Sequence, residues 1–152
     1  NMKAREKMAL ASYYGGLTIN IAGLGYVHAF AHQLGVKYRL PHGISNAKVL
    51  PYVLEFNKTA ATSRMAEMAR FLGLEKANET DLELAESFIT EVKSLIQKVG
   101  IDPTVAVKKE DYSSIISEAF KEANSTYAVA KYMSYDEAHE LLEKLSGFKT
   151  LI

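Results

Sequence analysis

Three of the four histidines in this chain, His28, His32 and His42, stand in or just beyond its longest uncharged stretch, since no Asp, Glu, Lys or Arg occurs between Lys7 and Lys37. Burying an imidazole without a partner for its ring nitrogens costs roughly 1–3 kcal/mol. The partners are either hydrogen-bonding groups or a metal ion, and the two alternatives carry different chemistry. His28 and His32 are four residues apart, so on a helix they share one face, one turn from each other. That spacing presents two imidazoles to one ion, and it equally suits two hydrogen-bonded core histidines. His42 is flanked by Pro41, which fixes its own φ and restricts its predecessor, and by Gly43, which allows close backbone approach. It therefore sits on a rigid turn at a helix start, where it can join the other two around a cleft.

The elements that must position these rings read as helices almost throughout, with no sustained strand period. Thr80 and Glu83 form a capping-box pattern ahead of an apolar stripe of Leu84, Phe88, Val92, Leu95 and Val99, and Gly100 stops it. Ser134 and Glu137 repeat the box before Leu141, Leu142 and Leu145, with Gly147 as the stop. Met65, Met68 and Leu72 mark a shorter helix ending at Gly73, and Tyr112, Ile115, Ile116, Ala119 and Phe120 mark another. Two segments of the first third, roughly 8–22 and 25–35, are apolar on nearly every face and are expected at the centre of the fold. Pro41-His42-Gly43 opens a third helix, bent or interrupted by Pro51 and ending near Asn57. The expected architecture is all-α, a central hydrophobic hairpin wrapped by amphipathic helices. Gly15, Gly16, Gly23 and Gly25 each weaken a helix by about 1 kcal/mol relative to Ala, which points to close helix packing or to a ligand's approach.

Bulk properties narrow the function. The chain has 152 residues, the size of a single domain, and 18 basic residues balance 18 acidic ones. No net field gathers nucleic acid or an anionic membrane surface. The absence of cysteine removes disulfides and thiolate metal sites, and agrees with a cytoplasmic location. Thr18, Asn20, His28, His32 and Gln33, with the glycines, argue against a membrane span in the uncharged stretch, and no signal-peptide pattern frames it. Lys3, Arg5, Glu6 and Lys7 already read as a helical surface, with no capping residue expected before them, as in a piece that begins inside a longer protein.

The run from Ala22 to His32 (AGLGYVHAFAH), followed by Pro41-His42-Gly43-Ile44-Ser45-Asn46, resembles the signature of the iron-containing, or group III, alcohol dehydrogenases. The resemblance is dense over about residues 4–57 and looser beyond. It implies a C-terminal helical domain of the dehydroquinate synthase-like kind, spanning 1–152 and working beside a separate α/β domain that holds NAD or NADP. It also implies that His28 and His42 are ligands of a divalent metal, Fe(II) or alternatively Zn(II). His32 then faces the substrate and the nicotinamide, as a catalytic and cofactor-contacting residue. The implied reaction is hydride transfer between a small alcohol or aldehyde and the nicotinamide, assisted by the metal as a Lewis acid. The remaining ligands, an Asp and a His, belong to a helix before this chain, so the chain alone is expected to bind metal weakly and not to turn over. Asp81, Asp102, Asp111 and His139 lie on helix starts or a wet face and do not replace them. Gln33 stands where many relatives have proline, and Ala128-Val129-Ala130 replaces a segment that often contains one. Homodimerisation is a further implication. The competing expectation is a stand-alone helical metal-binding or interaction module without catalysis.

Overall fold

The computed structural model describes residues 1–147, so positions 148–152 of the expected domain lie outside the described residues. Among the described residues there are seven α-helices and no strand: α1 (Met2–Ala22), α2 (Tyr26–Tyr38), α3 (His42–Asn57), α4 (Thr62–Phe71), α5 (Asp81–Lys98), α6 (Tyr112–Thr126) and α7 (Tyr135–Leu145). A single 3-10 turn, Lys109–Asp111, leads into α6. None of these helices is long and apolar enough to cross a membrane.

Local chemistry explains most boundaries. Both capping boxes form, Thr80 with Glu83 at α5 and Ser134 with Glu137 at α7, each satisfying two otherwise orphaned backbone donors for about 1 kcal/mol. Gly73, Gly100 and Gly147 follow the ends of α4, α5 and α7 with φ of 70°, 78° and 74°, a conformation that stops a helix and suits glycine. Pro51 lies inside α3 without interrupting it.

Helix α2 is the centre. Tyr26, Ala29, Phe30, Ala31 and Leu34 bury one face of it, packed between α3 and α6. The main core joins these residues to Val49 and Val53 of α3, Ile115, Ile116 and Ala119 of α6, and Leu141, Leu142 and Leu145 of α7. Polar ties through buried or half-buried tyrosines fix the elements in register. Tyr26 donates from Oη to Asn124 Oδ1 at 2.6 Å and accepts from the Met133 N–H at 3.1 Å, fastening α2 to α6 and to the approach of α7. Tyr38 does the same at the other end of α2, donating to Asp111 at 2.6 Å and accepting from the Lys108 N–H at 2.9 Å. Helices α4 and α5 pair against each other around Met65, Ala66, Leu84 and Ile89, and α5 rests on α3.

Three sequence expectations are corrected. The segment expected to form the other half of a buried hairpin, α1, contains no buried residue at all. Its uniform apolarity identified a surface that gains by being covered, but the described residues supply nothing to cover it. Consistently, a Cβ added at Gly15, Gly16, Gly23 or Gly25 would meet nothing within 4 Å, so these glycines serve no close packing among the described residues. On α5 the buried stripe is Leu84, Ala85, Ile89 and Ile96, whereas Leu95 and Val99 are exposed, because α4 and α3 cover a face rotated from the one expected. The start of α1 is capped after all, with Asn1 Oδ1 accepting from the Ala4 N–H at 3.2 Å.

Candidate active site

His28 and His32 occupy successive turns of α2, and His42 is the first residue of α3, delivered by the extended Pro41 (φ −57°, ψ 139°). The short link from Tyr38 to Pro41 folds α3 back so that all three rings converge. Their centroids are 5.5 Å apart for His28–His42, 5.9 Å for His28–His32 and 5.3 Å for His32–His42, the last pair stacked. His28 and His42 open onto a cleft of about 510 Å³ whose apolar wall comes from Ile19, Leu24, Val27 and Leu50.

Each ring is held differently. His32 Nδ1 lies 2.6 Å from Glu122 Oε1 on α6, and the Tyr127 hydroxyl donates to the same oxygen. Asn46, one turn beyond His42, donates from Nδ2 to the His42 main-chain carbonyl at 2.9 Å and lies 3.2 Å from His42 Nε2. The Asn46 and Asn57 carbonyl oxygens, both of residues lining the cleft, are buried without a partner. The His28 ring makes no hydrogen bond among the described residues. Burial, followed by the neighbouring His32 and His42, holds the His28 imidazole below its usual pKa of 6.5, with Glu122 opposing the shift.

This depression has a sign that can be measured. The unfolded chain binds a proton at His28 near pH 6.5, while the folded chain resists it to lower pH, so stability declines as pH falls from 6.5 into that window. Melting of the wild type and of His28→Gln between pH 7.5 and 5.5 is expected to show a shallower acid loss in the variant. Parallel curves would remove His28 as the source.

The donor set suits a divalent ion in part. A nitrogen about 2.1 Å from an ion places its ring centroid roughly 3.2 Å away, so two tetrahedrally disposed imidazoles have centroids about 5.2 Å apart. The His28–His42 separation of 5.5 Å and the His32–His42 separation of 5.3 Å are both close to that, and among the described residues the His28 nitrogens have no hydrogen-bond partner. Among the described residues no group of three or more His, Cys, Asp or Glu forms a cage by itself.

His139 lies apart from this cluster, its ring against Tyr112 at 5.0 Å and Nδ1 3.9 Å from Glu143. Asp81 pairs with Arg70, Asp102 with the Thr104 backbone, and Asp111 with Lys37 and Tyr38. None joins the histidines. Glu122, Tyr127 and Asn46 were not singled out from the sequence. Asn46 was findable, four residues after His42 on one helix. Glu122 is separated from His32 by 90 positions and carried no local signal.

The profile of the Fe-containing alcohol dehydrogenase family, C-terminal part, matches residues 1–146. The chain belongs to this family. As a C-terminal domain of an iron-containing alcohol dehydrogenase, it is 39% identical over 128 residues to a 1,3-propanediol dehydrogenase of Citrobacter freundii, covering 82% of this chain and 33% of that protein. It is 37% identical over 125 residues to an NAD-dependent methanol dehydrogenase of Bacillus methanolicus, covering 80% of this chain and 33% of the other. The crystal structure of a 1,3-propanediol oxidoreductase superposes with a TM-score of 0.88 at 34% identity, over 95% of this dehydrogenase domain and 38% of that chain. The domain thus spans about a third of the length of the relatives it matches.

Proposed function

We propose that this domain supplies half of the metal site and the proton-handling group of an NAD(P)-dependent alcohol dehydrogenase, the nucleotide being held by an additional α/β domain. The observation that carries the reading is the convergence of the His28, His32 and His42 rings, with His28 and His42 lining the apolar cleft. The relatives named as propanediol and methanol dehydrogenases supply the reaction class.

His28 and His42 would hold a divalent ion, Fe(II) in preference and Zn(II) as the alternative, since neutral imidazoles accept both. When bound, the ion would supply Lewis acidity that favours loss of the proton from the alcohol oxygen, and an oxidised nicotinamide would supply the acceptor for the hydride on the carbon bearing that oxygen. His32, stacked at 5.3 Å on His42, would receive that proton, so that alcohol, oxidised nicotinamide and neutral imidazole become carbonyl compound, reduced nicotinamide and imidazolium. The side chains of Ile19, Leu24, Val27 and Leu50 would receive the hydrocarbon part of a small alcohol.

The test compares Fe(II) and Zn(II) affinity of this chain with that of a longer polypeptide carrying the amino-terminal part of such a dehydrogenase. Weak binding and no turnover by the chain, with tight binding and NAD(P)-dependent alcohol oxidation by the longer protein, is the expected result. Tight binding by the chain alone would mean a complete site and would replace this reading with a stand-alone metal-binding module.

A further inference from the structure

Glu122 projects from the last turns of α6 toward α2, and one of its oxygens serves two donors. Oε1 is 2.6 Å from His32 Nδ1 and also receives the Tyr127 hydroxyl. Tyr127 directly follows α6, and its N–H still bonds the Ala123 carbonyl at 3.0 Å while the backbone turns extended (φ −102°, ψ 142°). That reversal is what brings its ring back over Glu122. The seat is rigid on the other side as well, because Asn124, two residues beyond Glu122, accepts the Tyr26 hydroxyl at 2.6 Å. Two polar ties, Tyr26–Asn124 and His32–Glu122, therefore fasten α2 to α6 on either side of the buried Phe30.

We infer that Glu122, oriented by Tyr127, is the positioning residue of His32: it fixes the ring and keeps its proton on Nδ1, leaving Nε2 as the basic nitrogen. The chemical reason is donor counting. A carboxylate has no hydrogen to give, so Oε1 accepts from both neighbours, from the single hydrogen of the Tyr127 phenol and from the imidazole. The hydrogen in the His32–Glu122 contact then belongs to the imidazole, which places it on Nδ1. Burial and the Glu122 carboxylate push the Tyr127 phenol up to about 12, so it remains a donor at any working pH. Carboxylates that hold the far nitrogen of a metal-bound histidine set its tautomer and direction, and their loss costs roughly 10- to 100-fold in affinity or activity; the same geometry acts here on a histidine outside the proposed ligand pair. The bearing on catalysis rests on the proton-accepting role given to His32 above. The tautomer itself does not.

The experiment separates the two. Nitrogen-15 NMR of the histidine side chains in this chain reads the His32 tautomer directly, with Glu122→Ala, Glu122→Gln and Tyr127→Phe beside wild type and far-UV circular dichroism as the folding control. Wild type is expected to carry the proton on Nδ1. Glu122→Ala is expected to lower the Nδ1–H preference about tenfold or more, within the range for lost orienting partners. Glu122→Gln, which retains a carbonyl acceptor, should restore most of the preference, a rescue that bulk packing alone would not produce. Tyr127→Phe should give an intermediate state. A proton on Nε2 in wild type, or a tautomer unmoved in all three variants, would overturn the inference, and the wild-type spectrum decides even where Glu122→Ala fails to fold. In the dehydrogenase carrying this domain, Glu122→Ala is expected to lower kcat roughly 10- to 100-fold while KM changes within about twofold. A displaced tautomer with unchanged kcat would leave Glu122 as the positioning residue and remove His32 from the chemistry proposed above.

Discussion

Alanine at position 28 or 42 is expected to lower the metal affinity of the dehydrogenase that carries this domain by more than about 100-fold and to abolish turnover, whereas His32→Ala keeps the metal and loses mainly kcat. Losing an outer partner of a metal ligand typically costs roughly 10- to 100-fold, and losing a ligand itself costs more. The three rings lie at similar separations, between 5.3 and 5.9 Å, so distance does not divide them. Nor do their partners, since Glu122 holds only Nδ1 of His32 and leaves Nε2 free, while no hydrogen bond to the His28 ring occurs among the described residues. The expected division follows the family resemblance, which pairs His28 with His42. Metal content by atomic absorption, read beside kcat and KM for each variant, distinguishes the roles. Metal lost in His32→Ala and retained in His42→Ala would reverse the assignment.

Phe30→Ala is expected to destabilise the chain by about 3–5 kcal/mol, the usual loss when a fully enclosed aromatic leaves a cavity. Phe30 is 0% exposed on the central helix, its ring 6.4 Å from that of Tyr26 and enclosed by the shared core of α2, α3, α6 and α7. Few neighbours can close the gap without moving Tyr26, whose hydroxyl is tied to Asn124 and Met133. Urea unfolding should show the midpoint falling with the slope unchanged. Phe71→Ala, at a position 90% exposed, provides the contrast and should lie within about 0.5 kcal/mol of wild type. Equal losses at the two positions would show that α2 is not the centre of the cooperative core.

The helical class was legible because its signals are local. Thr80 with Glu83, Ser134 with Glu137, and the glycines at 73, 100 and 147 specify starts and stops within a few residues, and the structure follows them. The convergence of His28, His32 and His42 was legible for a related reason. Helical spacing aligns the first two, and a short proline-containing link brings in the third. What escaped notice depends on distant partners. Glu122 reaches His32 only after α6 has packed on α2, across 90 positions of sequence. The rotation of the α5 stripe away from Leu95 and Val99 follows from where α4 and α3 happen to lie, which periodicity within α5 does not encode. The placement of α1 failed for a third reason. Apolarity on all faces reports an appetite for burial without naming the surface that meets it.

Because no residue of α1 is buried, the energetics of this polypeptide are divided. A helix held by little beyond its own backbone bonds is marginal in water, whereas α2 onward unfolds with the shared core. A mutational screen scoring thermal stability on this chain would therefore be nearly blind across positions 2–22. Leu10, Leu17 and Ile21 would register as dispensable, although their side chains are as apolar as those that decide the fold elsewhere. Tolerance measured there describes the surroundings of the helix rather than the importance of its residues.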